Sequence, residues 1–188
     1  MNEGFTSLPD GLPVPADDGG ADHLPGAMLP EIELPATDGS TVNLAHLRGW
    51  QVIYVYPMTG RPGTALPPDW DQIPGARGCT PQSCGFRDHH AELAALGAGV
   101  FGLSTQDSDY QREARDRLHL PFELLGDPAL KLRDMMGLPS FEAGGARLYK
   151  RMAIIARDGR IEKVFYPVFP PDRNAADVLS WLQDAVGS

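Results

Sequence analysis

The chain has 188 residues, 42% of them hydrophobic and 22% charged, with a net charge of −9, an ordinary composition for one globular domain with a sizeable core. The negative charge is gathered at the start: residues 1–47 hold eight acidic side chains and neither Lys nor Arg, leaving 17 acidic against 16 basic from Arg48 onward. Nucleic acid and anionic membrane surfaces both need clustered Lys and Arg, so neither is expected as a partner.

Residues 1–27 carry Pro9, Pro13, Pro15 and Pro25 among Gly and Asp. Such a stretch buries too little apolar area to offset chain entropy and reads as a flexible acidic tail, with the folded domain over 28–188. The pattern of a secretory signal or transit peptide is missing, as is a run of about 20 apolar residues, so a cytoplasmic location is expected. Ile32–Leu34 and Thr41–Leu44 around Asp38-Gly39 predict a short hairpin. Gln51–Tyr56 is a β-branched and aromatic strand ended by Pro57, followed by a long loop over 58–78 that Trp70 and Ile73 are expected to anchor.

The chain's two cysteines, Cys79 and Cys84, come next. Thr80 is a good N-cap residue and Pro81 suits the first helical position; Phe86, His90, Leu93 and Leu96 recur at helical spacing, and Gly97 can close the helix. Cys79 therefore lies at a helix N-terminus, where unpaired N–H groups and the macrodipole favour an anion, which makes it a candidate nucleophile. An inert buried thiol is the bland alternative; the position between a Gly-rich loop and a helix start favours chemistry. A metal is not expected, because C-x4-C supplies two ligands and His89 and His90 sit too far along the same helix.

A buried strand at Val100–Ser104 precedes a helix from Asp107 to about Leu118 with Tyr110 and Ala114 facing inward; a strand at Phe122–Leu125 precedes a helix from Asp127 to Met136. After a loop with Gly144-Gly145, Leu148–Ala156 and Ile161–Val168 flank Asp158-Gly159, a hairpin signal, and Asn174–Val186 forms the last helix. Alternating strands and helices followed by a hairpin predict an α/β fold, a central mixed sheet flanked by helices. Arg151 opens an apolar strand at the sheet margin; an exposed strand-end arginine is the bland alternative, and the need of a thiolate for a fixed cation favours a place for its forked, permanently charged head beside the sulfur.

Taken together, Tyr54-Val-Tyr-Pro57, Gly78-Cys-Thr80 with Cys84 and Phe86-Arg-Asp88, Gly102-Leu-Ser104, and Arg151 ahead of Asp158-Gly159 resemble the peroxiredoxins. The peroxiredoxin Q or bacterioferritin-comigratory-protein branch is the nearest likeness, over about residues 28–187. The resemblance implies a thioredoxin-like fold and thiol-dependent reduction of hydroperoxides without cofactor or metal. It makes Cys79 the peroxidatic cysteine, Cys84 the resolving cysteine of an intrachain disulfide, and Arg151 the active-site arginine, with Lys150 as the fallback. It further implies thioredoxin or a similar dithiol as reductant, and a monomer or weak homodimer. The alternative functions are a redox-sensing binding protein or a general thiol–disulfide oxidoreductase, the latter disfavoured by the lack of C-x-x-C. One departure stands out. The family keeps a Thr or Ser three residues before its peroxidatic cysteine, and here Ala76 holds that position, behind what looks like an insertion at about 63–78. Thr59 or Thr64 is the candidate to supply the missing hydroxyl.

Overall fold

The computed structural model describes residues 6–188. Its centre is a five-stranded sheet in the order β5-β4-β3-β8-β9. Strands β3 (Trp50–Val55), β4 (Ala98–Ser104) and β5 (Leu124–Gly126) run parallel, while β8 (Met152–Arg157) and β9 (Arg160–Phe165) join antiparallel. The expected hairpin at the start forms from β1 (Glu33–Pro35) and β2 (Thr41–Asn43).

The β-branched and aromatic residues of β3 and β8 are buried on both faces of the sheet, so helices must cover both. One face carries Tyr54, Phe86, Leu93, Val178 and Leu182, contributed by β3, α1 (Cys79–Asp88), α2 (His90–Ala95) and α5 (Asn174–Gly187). The other face packs Ile53, Val55, Ile154 and Leu132 from α4 (Lys131–Met136) against the hairpin and the segment before it. In α3 (Ser108–Leu118), Asp107 caps the first turn by accepting from the Tyr110 N–H, and Ala114 is buried as expected. Tyr110 is only half-buried, and Gln111 takes the inward position, where its amide bonds Tyr56 and the Leu125 carbonyl.

Gly102 is the glycine this arrangement requires. A methyl group there would lie 2.5 Å from Leu124 and 2.8 Å from the Tyr54 ring. With the space left open, Tyr54 stacks on Phe86 at 4.5 Å between ring centres and donates its hydroxyl to Ser83, so the sheet itself fixes the height of α1.

Four expectations change. The cysteine helix does not run unbroken to Leu96; it is interrupted at His89, where the backbone (φ −95°, ψ 5°) leaves the helical region. The helix expected from Asp127 begins at Lys131, because the Asp127 carboxylate accepts from the Leu132 and Arg133 N–H groups and serves as its cap from outside. Leu148–Ala156 is not one strand. Residues 146–149 form β7 (Ala146–Tyr149), paired with β6 (Ser140–Ala143) in a separate two-stranded ribbon, and the chain breaks at Lys150-Arg151 before β8 begins.

The segment before residue 28, finally, is not a free tail over its described length. Ala21 and Leu24 belong to the second core, the Gly26 N–H donates to the Ile161 carbonyl, and His23 donates to the Met136 carbonyl. Asp18 accepts from Lys150 Nζ at 2.6 Å and from the Tyr166 hydroxyl at 2.7 Å. The Lys150 ammonium above all, with the Tyr166 hydroxyl and the Gly20 N–H, holds the Asp18 carboxyl well below the usual carboxylate range, while burial and Asp18 together push the Tyr166 phenol up. A carboxyl depressed in the folded state supports attachment above its unfolded value of about 4, and that support is lost as pH falls below it. Asp18→Asn should therefore speed amide exchange over residues 16–26 at neutral pH with little change in melting temperature, and the wild type should loosen progressively as pH falls from about 4 toward the depressed folded value. Unchanged exchange in the variant would show that apolar packing alone holds the segment.

Candidate active site

Cys79 opens α1, but the residue before it, not Thr80, is the N-cap. Gly78 has φ +112°, and a methyl group on it would meet Pro171 at 2.3 Å and Leu8 at 2.9 Å. Only glycine combines this left-handed turn with so close an approach. The turn drives the chain from the end of the inserted loop straight into the helix, so Thr80, Pro81, Gln82 and Ser83 all lie inside the first turns and all are buried.

Arg151 enters from the break between β7 and β8. Its side chain is 3% exposed. Nη2 lies 3.2 Å from Cys79 Sγ and also donates to the Ala76 carbonyl at 2.9 Å and the Arg77 carbonyl at 3.3 Å. Nη1 donates to Gln82 Oε1 at 2.6 Å, and Gln82 Nε2 in turn donates to Asn174 Oδ1 at the start of α5. The guanidinium thus ties four separate segments together around one sulfur. No carboxylate among the described residues pairs with it, and the Cys79 sulfur is one of its four hydrogen-bond partners.

Lys150, the fallback, points the other way, into its ion pair with Asp18. The break at 150–151 separates the two cations completely in role. Neither threonine replaces the family hydroxyl: Thr59 is buried but its hydroxyl turns to Gln106 Oε1 at 3.4 Å, and Thr64 is exposed on the loop. Ala76 does approach the sulfur, but through its carbonyl, 3.7 Å from Sγ. Among the described residues, the hydrogen-bond partners of Cys79 are this carbonyl and Arg151.

Cys84 is half-buried on the same helix and carries a free thiol, like Cys79. Burial above all raises its thiol from the usual range, with Arg87 and Arg117 pulling in the opposite direction. Five residues apart on an α-helix, the two cysteines are separated by about 7.5 Å of rise and roughly 140° of rotation, too far for a disulfide without a change in backbone. No group of three or more His, Cys, Asp or Glu among the described residues could hold a metal ion.

Sequence reasoning missed Gln82 and Asn174. Gln82 is three residues after Cys79, one helical turn on, and this spacing was a signal that its amide shares the sulfur's side of the helix. Asn174 is visible only in the tertiary structure.

The chain resembles known proteins over most of its length. The Redoxin family profile matches residues 24–179. The chloroplastic peroxiredoxin Q of Suaeda salsa is 31% identical over 159 residues, covering 84% of this chain and 67% of that protein. Among solved structures, peroxidoxin BcpB of Mycobacterium tuberculosis superposes with a TM-score of 0.69 at 24% identity, over 86% of this chain and 98% of the other. A bacterioferritin comigratory protein of Xanthomonas campestris, described for its alkyl peroxide reduction activity, gives 0.65 at 19% identity over 92% and 98%. These last two matches fix the fold as that of the thioredoxin-like peroxiredoxins. A full-domain family match, a cysteine-bearing helix N-terminus and a relative at this identity lead to one assignment: the chain belongs to the Redoxin family, among peroxiredoxins of the Q and bacterioferritin-comigratory-protein type.

Proposed function

We propose that the protein is a thiol peroxidase in which Cys79 is the peroxidatic residue, Cys84 the resolving residue and Arg151 the group that stabilises charge on sulfur and peroxide. The observation that carries this reading is the contact of the Arg151 guanidinium with Cys79 Sγ at a helix N-terminus. The thiolate attacks one oxygen of a hydroperoxide; the S–O bond forms as the O–O bond breaks, and the departing hydroxide or alkoxide takes up a proton. Sulfur loses two electrons to the peroxide and becomes a sulfenic acid. Arg151 faces the negative charge that develops on the departing oxygen, where a fixed cation is worth most.

The sulfenic acid is neutral, so the contact with Arg151 weakens once the first step is complete. Cys84 then attacks Cys79 Sγ, the S–S bond forms, and water leaves with the sulfenic oxygen. An external dithiol, thioredoxin or one like it, returns the two electrons by thiol–disulfide exchange. The S–S bond requires the first turns of α1 to unwind, and on this reading three side-chain contacts give way: Gln82 leaves Arg151 and Asn174, and Ser83 leaves Tyr54. A cytoplasmic location and a monomer or weak homodimer belong to the same proposal.

Three outcomes test it. Cys79→Ser should abolish peroxide consumption, because an alcohol without a base is far less nucleophilic than a thiolate; substantial residual turnover would move the nucleophile elsewhere. Arg151→Met, which keeps much of the volume and removes the charge, should slow the first step about 100-fold or more, the scale of losing one fixed electrostatic partner in a closed site, as read by stopped-flow oxidation of the thiol. A rate within a few-fold of wild type would reduce Arg151 to a packing role. Oxidation should yield an intrachain Cys79–Cys84 linkage in the mass map and faster amide exchange over residues 79–88, with the Phe86 and Leu93 contacts retained; only intermolecular linkages, or unchanged exchange, would contradict the unwinding step.

A further inference from the structure

The inserted loop does more than pass over Cys79. Leu66, Trp70, Arg77 and Gly78 from the loop, with Met58 and Gly60 before it, line a narrow, partly open cavity over Cys79 and Thr80 whose volume is about 10 Å³. That is near the minimum of roughly 10–15 Å³ that holds one water molecule. Cys79 itself is 4% exposed.

The cover is anchored on every side. Trp70 is buried in a small separate core with Ala76 and Leu148, flanked by Met58, Leu66, Ile73 and Phe141, and its ring lies 6.3 Å from that of Phe141 on the β6–β7 ribbon. Arg77 pairs with Asp71 at 2.9 Å within the loop. At the other end, the Gly60 carbonyl accepts from Arg117, and Arg61 lies over the Tyr110 ring while pairing with Glu113. Ribbon, loop and α3 thus hold the roof down from three directions. A larger cavity of about 360 Å³ lies among Pro15, Ile73, Phe141 and Val168 and touches Arg151, but Cys79 is not part of its wall. The Ala76 and Arg77 carbonyls at the end of the loop both accept from Arg151 Nη2. The cavity that has Cys79 in its wall is the small one under Leu66 and Trp70.

Resting on the peroxidase reading above, we infer that the inserted loop makes this protein selective for hydrogen peroxide over organic hydroperoxides, with Leu66 and Trp70 as the residues that set the limit. Hydrogen peroxide is little larger than water and enters with minor adjustment of the Leu66 and Met58 side chains. A tert-butyl group adds a branched hydrocarbon body for which the cavity has no room, and placing it requires the anchored roof to move. This distinguishes the chain from its Xanthomonas relative, which is described for alkyl peroxide reduction.

The test is the rate of Cys79 oxidation in the reduced full-length protein, measured by stopped flow with hydrogen peroxide and with tert-butyl hydroperoxide. The wild-type rate constant for tert-butyl hydroperoxide is expected about 100-fold below that for hydrogen peroxide, the scale of forcing extra methyl groups into a filled site. Leu66→Ala should shrink that ratio about tenfold; Met58→Ala, from outside the loop, should move it the same way and stands in if the first variant melts well below wild type. A wild-type ratio within about threefold, or a ratio unmoved in a folded variant, overturns the selectivity. Absence of oxidation by either peroxide overturns instead the peroxidase reading beneath it.

Discussion

A guanidinium withdrawn almost completely from water is the constraint on which the rest of the site depends. Taking such a charge out of water costs several kcal/mol unless its donors are satisfied and its charge is met. Arg151 makes four contacts through Nη1 and Nη2, to Gln82, Ala76, Arg77 and Cys79, while its buried Nε has no hydrogen-bond partner among the described residues, and none of the four is a carboxylate. In the proposed reaction, the sulfur is the partner that can meet that charge. Each of the segments that supplies a partner has to arrive at a fixed place: the end of the inserted loop with its carbonyls, α1 with Cys79 and Gln82, and α5 through Asn174. The break between β7 and β8 is where the arginine enters, just before β8 takes its place between β3 and β9.

The inserted loop and the N-terminal segment act on this centre from outside. The family threonine has no counterpart here, and the loop that displaces it brings backbone carbonyls to the arginine instead of a hydroxyl to the sulfur. The same loop places Leu66 and Trp70 over the small cavity beside Cys79, which is 4% exposed. The N-terminal segment buttresses the far side: Pro15 packs on Gly75, and Asp18 holds Lys150, the neighbour of Arg151, away from the site. Two adjacent cations thus serve different ends, one fixed by a carboxylate at the surface and one reserved for the thiol.

The fold's central sheet, the helix that begins at Cys79 and the hairpin at the end were legible in the sequence, because each is marked by local periodicity and by Gly, Pro or Asp at its ends. The Redoxin assignment follows the same motifs. The anchors Trp70 and Ile73 were legible as well, and both fall in the small core under the loop. What was not legible depended on long-range contacts. The β6–β7 ribbon carried its own signal in Gly144-Gly145, both with positive φ between two short strands, and was passed over because the apolar run after it read as one long strand. Thr80 was the expected cap by residue type, but the crowding of Gly78 by Pro171, nearly a hundred residues on, decides the point at which the helix starts. Proline and aspartate made residues 1–27 read as a tail; a single well-placed aspartate and two buried side chains, Ala21 and Leu24, reverse that reading for the described part.

The first turns of α1 are held more firmly than their sequence suggests. Gly78, Pro81 and Gly85 read as a weak start, yet every residue from Cys79 to Ser83 is buried, and Gln82 and Ser83 bond to three different elements. The proposed reaction asks this helix to unwind for one chemical step and to stay wound for the one before it, which needs a device that changes its stability in between. Charge supplies it in that proposal. The attacking thiolate is the anion that meets the buried guanidinium, and the wound helix keeps the two together. When oxygen is added, the sulfur becomes neutral, and the oxygen takes up the little space left in the cavity. The reason for holding the helix in place and the room in which to hold it disappear in the same step, so the chemistry that creates the need for Cys84 also lowers the cost of reaching it.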